Sequence, residues 1–430
     1  MKLLKTTNQD NIIDLITRPV TDSDLINRTV SYIIADVMVN GDKSVLKYTK
    51  QFSKIKGKFK SYDVKAYDML NAEKIISYEL KEAIHRAKQN IEKFHLSQME
   101  TVNKIETEPG ILCWRKSVPI TNVGLYVPGG TAPLISTVLM LAVPACLVGC
   151  QNVIICTPPD SEGNVNPALL YAARLAGVNK IFKVGGAQAI AAMAYGTQTV
   201  PKVDKIFGPG NLYVTLAKQL VCRDTVAIDM PAGPSELLII ADKTADKEFV
   251  AADLLSQAEH GKDSQVILIS DNLDFLLETQ GVVLRQLNEL PKKKIAEVSL
   301  HNSFCILVRD MQEAMEISNA YAPEHLILAC KNAENLSNNV INAGSVFIGN
   351  YASEAIGDYA SGTNHTLPTN GSAKAYSGVS IDSFMKKITF QYVTEEGIKN
   401  IGNTVEILAE AENLFAHKNA ITVRLNKLKK

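Results

Sequence analysis

The chain has no excess of charge of either sign, because its 430 residues include 45 lysines and arginines and 45 aspartates and glutamates. A net charge of zero argues against a generally basic nucleic-acid-binding protein, although a local basic patch stays compatible with it. It also argues against long-range attraction to a membrane surface. The hydrophobic fraction of 46% is ordinary for a globular protein and too high for a disordered one. This composition favours a small-molecule enzyme or a subunit of an assembly.

Cysteine is scarce, and its seven residues include no CxxC pair. The odd number argues against a disulfide framework, and the missing CxxC argues against a thiol-redox motif or a cysteine zinc cluster. Cys146, Cys150 and Cys156 lie in strongly apolar surroundings. We therefore expect reduced core cysteines in a cytoplasmic protein.

Long uninterrupted apolar runs are also missing. The N-terminus has neither a long apolar region nor a small-residue cleavage site, so we expect no secretory signal. Residues 121–159 contain no Asp, Glu, Lys or Arg, but Pro144 and Gly149 interrupt the stretch. A buried helix within residues 134–147, followed by a buried strand at 152–156, explains this stretch better than a membrane span.

From about residue 110, short apolar runs alternate with helical patterns, and the alternation restarts near Met230. Such a pattern predicts an α/β protein with two doubly wound parallel sheets. The first hundred residues look helical, and the last sixty break the alternation with a strand-like run at 380–393 and a helix at 395–411. In doubly wound sheets ligands collect at the carboxyl ends of strands, so we expect the functional residues there.

The dinucleotide fingerprint GxGxxG does not occur. Two other glycine turns follow predicted strands: Gly185-Gly186-Ala187-Gln188 opens a helix, and Gly208-Pro209-Gly210-Asn211 precedes one. Backbone N–H groups at such a helix start can bind a phosphate or another anion. Glycine is also used in tight strand-to-helix turns for steric reasons alone, and the sequence leaves both explanations open.

Candidate metal ligands lie in three separate segments. Gln257 and His260 end a predicted helix and share one of its faces, although chance often produces this spacing. Asp358 lies in a glycine-rich polar loop, where it could bind a cation, and His365 at the end of that loop could be structural. His417 lies near the C-terminus. Two histidines, an aspartate and a carboxamide would suit zinc or a similar divalent ion.

Glu324 and His325 form a candidate acid–base pair. They follow Pro323 and precede the apolar run 326–329. Placed at a strand end, the carboxylate could activate water and the imidazole could accept a proton. Two solvated polar residues at the end of a helix or strand would give the same local sequence. The pair alone therefore does not distinguish a catalytic role from simple exposure to solvent.

The chain resembles the histidinol dehydrogenase family through eight motifs that occur in order. They are GLYVPGG (124–130), VGGAQAI (184–190), IFGPGN (206–211), AGPSE (232–236), QAEH (257–260), YAPEH (321–325), GDYASG (357–362) and AHKN (416–419). The match runs from about residue 110 to 425. The ordered set is far more specific than any one motif, whereas the N-terminal helical region offers few diagnostic residues.

The resemblance implies oxidation of L-histidinol to L-histidine through L-histidinal, with reduction of two NAD, as the last step of histidine biosynthesis. It also implies one Zn²⁺ per subunit and a homodimer, and no nucleic-acid or membrane partner. Two incomplete Rossmann-like domains are expected. We place a mainly helical N-terminal region at 1–110, the Rossmann-like domains at 111–232 and 233–375, and a C-terminal dimerisation extension at 376–430.

The resemblance also assigns roles residue by residue, and the chain departs from the family at none of them. The zinc ligands, which also contact substrate, would be Gln257, His260, Asp358 and His417. Glu324 and His325 would be catalytic, with His325, Ser235 and Glu412 contacting substrate and Tyr126, Gln188 and Asn211 contacting NAD. The C-terminal segment would complete the partner subunit's site, so that each site is shared between subunits.

Two alternatives stay open. One is a relative that oxidises a different amino alcohol or a sulfonate-bearing alcohol, against which the retained substrate contacts argue. The other is a catalytically silent, metal-binding or regulatory relative. Such a relative should have lost Glu324, His325 or a metal ligand, and this chain keeps them all.

Overall fold

The computed structural model describes residues 1–6, 12–19, 24–56, 59, 61–129, 134–231, 233–291 and 293–429. Gly130 of the first family motif and Ala232, which begins the fourth motif and ends the first predicted Rossmann-like domain, lie outside the described residues. All of the predicted site residues lie within them.

In the described part of the chain, fourteen strands belong to three sheets. They are β1 (Lys2–Lys5), β2 (Lys104–Glu108), β3 (Ile111–Pro119), β4 (Asn122–Tyr126), β5 (Asn152–Cys156), β6 (Lys180–Phe182), β7 (Lys205–Phe207), β8 (Ala227–Ile228), β9 (Glu236–Ala241), β10 (Gln265–Ser270), β11 (Phe304–Leu307), β12 (His325–Ala329), β13 (Ser345–Ile348) and β14 (Met385–Val393).

The α-helices of the described residues connect and cover these strands. They are α1 (Ile12–Leu15), α2 (Asp24–Asn40), α3 (Asp42–Phe52), α4 (Ala66–Ile75), α5 (Tyr78–Leu96), α6 (Ile135–Leu147), α7 (Pro167–Leu175), α8 (Gly186–Tyr195), α9 (Leu212–Asp224), α10 (Lys247–Ala258), α11 (Leu273–Leu287), α12 (Lys293–His301), α13 (Met311–Tyr321), α14 (Ala333–Ser337), α15 (Glu354–Tyr359), α16 (Glu395–Ala411) and α17 (Phe415–Leu428). Short 3-10 helices occur at Ser372–Lys374 and Ile381–Phe384.

The first sheet is parallel and has the strand order β6-β5-β4-β7-β8. The chain moves outward from β4 to β6 and then returns to β7 on the other side of β4. This reversal is the topological switch point of a Rossmann-type sheet. There the connections that follow two neighbouring parallel strands lead to opposite sides of the sheet. The first sheet therefore presents a crevice at the carboxyl ends of β4 and β7.

The second sheet repeats the same winding with β9 to β13 and adds a strand from the N-terminus. Its order is β1-β11-β10-β9-β12-β13, and all of its pairs are parallel. The central strands β9 and β10 are buried along their whole length, as their continuous apolar runs require. Helices α10 to α12 cover one face, and α1 and α13 cover the other.

The N-terminal helices pack on the first sheet's helices. Contacts join α2 to α8 and α9, α4 to α7, and α5 to α6. The very apolar α6 has Pro144 within it and is buried on nearly all sides, and buried β5 follows it. This confirms the helix–strand interpretation of the charge-free stretch. Within the described residues, no helix combines the length and the apolar character needed to cross a membrane.

The chain divides into two compact units. The first comprises residues 1–97 and 121–384 and contains both parallel sheets; the second comprises residues 98–120 and 385–430. In the second unit, β14, β3 and β2 form an antiparallel sheet, and α16 packs against α17. The stacked rings of Trp114 and Phe390 join two of its strands. Gly110 and Gly397 touch so closely that a Cβ on either one would overlap the other's backbone.

Candidate active site

The acid–base pair lies at the amino end of β12, not at a carboxyl end. Glu324 precedes the strand and His325 is its first residue, paired in register with Leu237 at the start of β9. The expectation that the functional residues gather at carboxyl strand ends is therefore wrong for the second sheet. Gln257 lies at the same edge, because α10 connects the parallel strands β9 and β10 and its last turn therefore reaches the start of β10.

Backbone groups of Glu236 hold both members of the pair. The Glu236 N–H donates a 2.9 Å hydrogen bond to Oε2 of Glu324, and the Glu236 carbonyl lies 3.2 Å from Nδ1 of His325. A carbonyl only accepts hydrogen bonds, so Nδ1 carries a proton and Nε2 is the free basic nitrogen of the neutral ring. His325 Nε2 is buried and has no hydrogen-bond partner among the described residues.

The side chain of Glu236 anchors this arrangement to two other segments. Arg18 binds it with Nε–Oε1 at 2.5 Å and Nη2–Oε2 at 3.0 Å, and the Asn370 N–H donates to Oε1 at 3.0 Å. Arg18 also lies over the ring of Tyr321, 3.8 Å from its centroid. A bidentate, charge-assisted pair of this kind fixes the position of both partners. The start of β9, and with it the acid–base pair, is therefore held by two other segments of the chain.

Further acidic groups face His325. Its Nε2 lies 3.8 Å from Oδ1 of Asp358, and its Nδ1 lies 3.9 Å from Oε1 of Glu354. Asp358 Oδ1 also lies 3.9 Å from Nδ1 of His365. Helix α15 carries both carboxylates, and the hydroxyl of Ser353 at its start donates to Asp253 of α10 at 2.7 Å. This hydrogen bond joins the helix that carries Asp358 to the helix that carries Gln257.

Burial shifts the pKa of each ionisable group in this cluster toward the neutral form. It raises the pKa of Glu324 well above its usual value, against the hydrogen bond from the Glu236 N–H. It lowers the pKa of His325 to about 3 and that of His365 to about 4. Burial also raises the pKa of Asp358 to about 7, and that of Glu354 well above its usual value. Among the described residues, no lysine or arginine forms an ion pair with Glu324, Glu354 or Asp358.

The residues in this cluster fit a divalent metal ion. His260, Glu354 and Asp358 each offer one ligand atom, and these atoms lie within 4.8 Å of one another. The fully buried side chain of Gln257 has no hydrogen-bond partner for Oε1 or Nε2 in the described part of the chain. An imidazole, carboxylates and a carboxamide oxygen form a donor set that zinc accepts, and a cation among them would offset the crowded negative charge.

The three residues assigned to NAD lie at the carboxyl edge of the first sheet, as predicted. Tyr126 ends β4, Gln188 lies in the first turn of α8, and Asn211 is the N-cap of α9, where it accepts from the Val214 N–H. The Tyr126 hydroxyl accepts a 3.0 Å hydrogen bond from the Gly186 N–H. A cleft of about 840 Å³ opens at the same edge, lined by Pro128, Pro158 and Lys183 among others.

The other predicted substrate contacts lie in different parts of the chain. Ser235 directly precedes β9 and is therefore next to Glu236, within the cluster at the amino edge. Glu412 and His417 belong to the second unit, where Glu412 follows α16 and His417 lies in α17. Both are exposed. Their role in the site stays a prediction.

Sequence reasoning missed three residues that contribute to the cluster, namely Arg18, Glu236 and Glu354. Arg18 precedes the matched motifs, and Glu354 lies three residues before GDYASG without a motif of its own. Glu236 ends AGPSE, so its position next to Ser235 was a usable signal. His365 was predicted only as a histidine that could be structural. Its Nε2 lies 3.3 Å from Oγ1 of Thr137, a residue of α6.

The first Rossmann-type sheet has a crevice at the carboxyl ends of its strands, where such sheets bind nucleotides. The second sheet carries an acid–base pair beside side chains that can bind a metal ion. Together these features are typical of an α/β enzyme that uses a nucleotide cofactor. A family model described as histidinol dehydrogenase matches residues 16–425. The chain belongs to the histidinol dehydrogenase family, whose members are oxidoreductases.

Individual relatives match along the whole chain. The chain is 57% identical over 429 residues to the histidinol dehydrogenase of Bacteroides thetaiotaomicron, covering 100% of both. It is 48% identical over 418 residues to that of Escherichia coli strain K12, covering 96% of this chain and 95% of the relative. The crystal structure of histidinol dehydrogenase from Elizabethkingia anophelis matches with a TM-score of 0.97 and 53% identity, covering 100% of this chain and 99% of that one.

Proposed function

We propose that this protein oxidises L-histidinol to L-histidine through L-histidinal, with two NAD as acceptors. The observation that carries the proposal is the buried Nε2 of His325, which lies 3.8 Å from Oδ1 of Asp358 and has no hydrogen-bond partner among the described residues. Nδ1 of the same ring lies 3.8 Å from Oε2 of Glu324. A neutral imidazole held in one tautomer, with its basic nitrogen aimed at a cluster of metal-type donors, is suited to deprotonating an alcohol bound there.

In the first oxidation, His325 accepts the hydroxyl proton of the alcohol at Nε2. The Glu236 carbonyl holds the Nδ1–H throughout, so the ring stays in the orientation that presents Nε2. When bound, NAD takes up the hydride that leaves the alcohol carbon. The balanced result of this step is an aldehyde, NADH and one proton on the imidazole.

The second oxidation needs water, because the aldehyde carbon carries only one hydrogen. Before this step His325 would release the first proton to solvent, which frees Nε2 again. Glu324 would remove a proton from the water that adds to the carbonyl, and His325 would then accept a proton from the hydrate. The hydrogen bond from the Glu236 N–H favours the ionised form of Glu324 that this role requires, against the effect of burial. Loss of the second hydride gives the carboxylic acid.

We propose that Gln257, His260, Asp358 and His417 hold one Zn²⁺ per subunit, with Glu354 as an additional neighbouring carboxylate. Zinc in such a site supplies Lewis acidity and binds nitrogen donors of a substrate such as an imidazole or an amine. The chain's own contribution is to fix these donors, through the α10–α15 hydrogen bond, beside His325.

We propose further that the protein is a homodimer in the cytoplasm, with each site shared between subunits. Glu412 and His417 would reach the partner's site from the C-terminal extension. Tyr126, Gln188 and Asn211 would bind NAD at the carboxyl edge of the first sheet, next to the cleft. No disulfide bond joins any of the seven cysteines within the described part of the chain, which fits a reducing compartment.

The test is a stoichiometric assay with L-histidinol and NAD. We expect two NADH for each L-histidine formed, and oxidation of added L-histidinal with one NADH. A paired assay with other amino alcohols checks the substrate. No NADH from histidinol with the zinc-loaded protein would refute the proposal, and faster turnover of another alcohol would change the assigned substrate.

A further inference from the structure

A buried ion pair lies beneath the switch point of the first sheet. Nζ of Lys218, in α9, is 2.5 Å from Oδ1 of Asp229, which directly follows β8; the side chains are 3% and 1% exposed. Removing two charges from water costs free energy that their attraction often does not recover, and apolar replacements of such pairs are often neutral or stabilising. Stability alone therefore does not account for this pair.

The pair holds both backbone polar groups of one glycine. Lys218 Nζ donates to the Gly208 carbonyl at 2.8 Å, and the Gly208 N–H donates to Oδ2 of Asp229 at 2.7 Å. Gly208 follows β7 with φ at +120°, and a Cβ there would overlap the carbonyl oxygen of Tyr126. The ion pair thus clamps the turn after β7 against the end of β4.

This clamp connects the residues assigned to the dinucleotide. Gly208 begins the turn that ends at Asn211, the N-cap of α9. Gly208 packs against Tyr126. The Tyr126 hydroxyl in turn accepts a hydrogen bond from the N–H of Gly186, which begins α8, the helix that carries Gln188. The side chains of Lys218 and Asp229 form an ion pair with each other and hydrogen bonds with Gly208, so we assign their effect on the site to Gly208.

We propose that Lys218 and Asp229 are positioning residues for NAD, which hold the turn 208–211 in the shape that receives the dinucleotide. This inference rests on the proposed function, and specifically on NAD binding at this edge. A turn that is already ordered loses little conformational freedom when ligand binds, so affinity is gained by preorganisation. The clamp lies in the first sheet, so histidinol binding at the second sheet does not depend on it.

The experiment compares two double variants that both remove the buried charges. Lys218→Met/Asp229→Asn removes the donor to the Gly208 carbonyl, whereas Lys218→Gln/Asp229→Asn keeps a neutral donor and acceptor for both Gly208 groups. Arg223→Met breaks an exposed ion pair with Asp224 at the end of the same helix and is the control. The readouts are the Kd for NADH, the KM values for NAD and histidinol, and the thermal midpoint.

We expect the Met/Asn variant to bind NADH on the order of tenfold more weakly, the loss expected when a charge-assisted hydrogen bond no longer holds the site. Its KM for histidinol should stay within about twofold of the parent value, since the second sheet is unchanged. The Gln/Asn variant should recover most of the NADH affinity, and the control should match the parent protein.

Equal NADH affinity in the parent and a folded Met/Asn variant would overturn the inference. A parallel fall in NADH affinity, histidinol affinity and thermal midpoint of the Met/Asn variant would also overturn the inference, since that result indicates a general loss of structure. If the Met/Asn variant shows no cooperative unfolding transition, Lys218→Arg is measured in its place, because it keeps the charge but displaces Gly208. NADH binding by Lys218→Arg equal to that of the parent protein would overturn the inference. A parent protein that binds no NADH would instead refute the proposed function.

Discussion

Nδ1 of His325 lies 3.2 Å from the carbonyl oxygen of Glu236, and this contact decides which nitrogen can act as a base. Because the carbonyl accepts the Nδ1–H, the lone pair of the neutral ring is on Nε2. The same residue's N–H binds Glu324, so one peptide position orients both members of the acid–base pair. The pair is therefore a rigid unit set by the register of β9 and β12.

Replacing His325 by Asn should slow both oxidations. The Asn amide can replace the Nδ1–H donor to Glu236 but offers no base at the position of Nε2. Loss of a general base typically costs on the order of 10²–10⁴-fold in rate. Single-turnover assays with histidinol and with histidinal measure the two steps separately, and a variant that retains the rate of either step would contradict the shared role.

Replacing Glu324 by Gln should impair histidinal oxidation more than the first oxidation of histidinol. Only the aldehyde requires an added water, and a carboxamide cannot remove the water proton. Glu324→Asp is the matched comparison, because it keeps the carboxylate but withdraws it. Equal slowing of the alcohol and aldehyde steps by Glu324→Gln would show that the proposed division of labour is wrong.

Removal of the metal should lower the stability of the protein, whereas Asp358→Asn should raise the stability of the metal-free protein. Chelation should abolish turnover, and zinc should restore it and raise the thermal midpoint, by about 2–4 °C for each kcal/mol of binding linkage. Burial raises the pKa of Asp358 to about 7, so its ionised form destabilises the metal-free fold. Asp358→Asn should therefore stabilise the metal-free protein at pH 8 while reducing the stabilisation by zinc.

The matched control for this prediction is Glu316→Gln, which neutralises an exposed carboxylate of α13. It should leave the zinc-dependent change in the thermal midpoint as in the parent protein. A zinc-dependent change of the same size in Asp358→Asn would contradict the assignment of Asp358 as a ligand, and full activity of a verified zinc-free preparation would contradict the metal requirement.

Subunits carrying His417→Asn and His325→Asn should complement each other if the sites are shared. Each parent has only defective sites, but a mixed dimer would combine the intact His325 of one subunit with the intact His417 of the other. After confirmed exchange of subunits, we expect activity clearly above the sum of the parents. Activity that stays at that sum would argue for sites built within one subunit.

Buried His95 should make the fold sensitive to mild acid. Its Nδ1 donates to the Ile91 carbonyl at 2.8 Å, and burial lowers its pKa below the usual value near 6.5. Below about pH 6.5 the unfolded chain binds a proton that the native protein resists, so stability falls with falling pH by up to about 1.4 kcal/mol per unit. Above that pH both states are neutral and this contribution is constant.

His95→Asn keeps a donor for the Ile91 carbonyl but cannot take up a proton. Urea unfolding at pH 7.5 and pH 5.5 should therefore show a smaller loss of unfolding free energy in the variant than in the parent protein. An identical loss in both proteins would remove His95 as a source of acid sensitivity.

The sequence by itself determined the α/β class, the family and most elements of both alternating runs, although it gave no sign of β8 or α12. Apolar runs such as 236–241 and 265–270 are buried on both faces of a sheet, so their hydrophobicity is continuous and readable without structure. The candidate catalytic and ligand-type residues could also be named from their motifs, because each motif combines local turn chemistry with reactive side chains.

Only the tertiary structure decided which residues meet. Arg18 and Glu236 are 218 positions apart, and Glu354 carries no motif, so no local pattern could connect them to His325. The placement of the acid–base pair at the amino edge of the second sheet follows from the direction of β12 and α10 in the fold. The tautomer of His325 and the clamp on Gly208 depend on contacts of about 3 Å across neighbouring strands, and strand order is a property of packing that sequence periodicity does not encode.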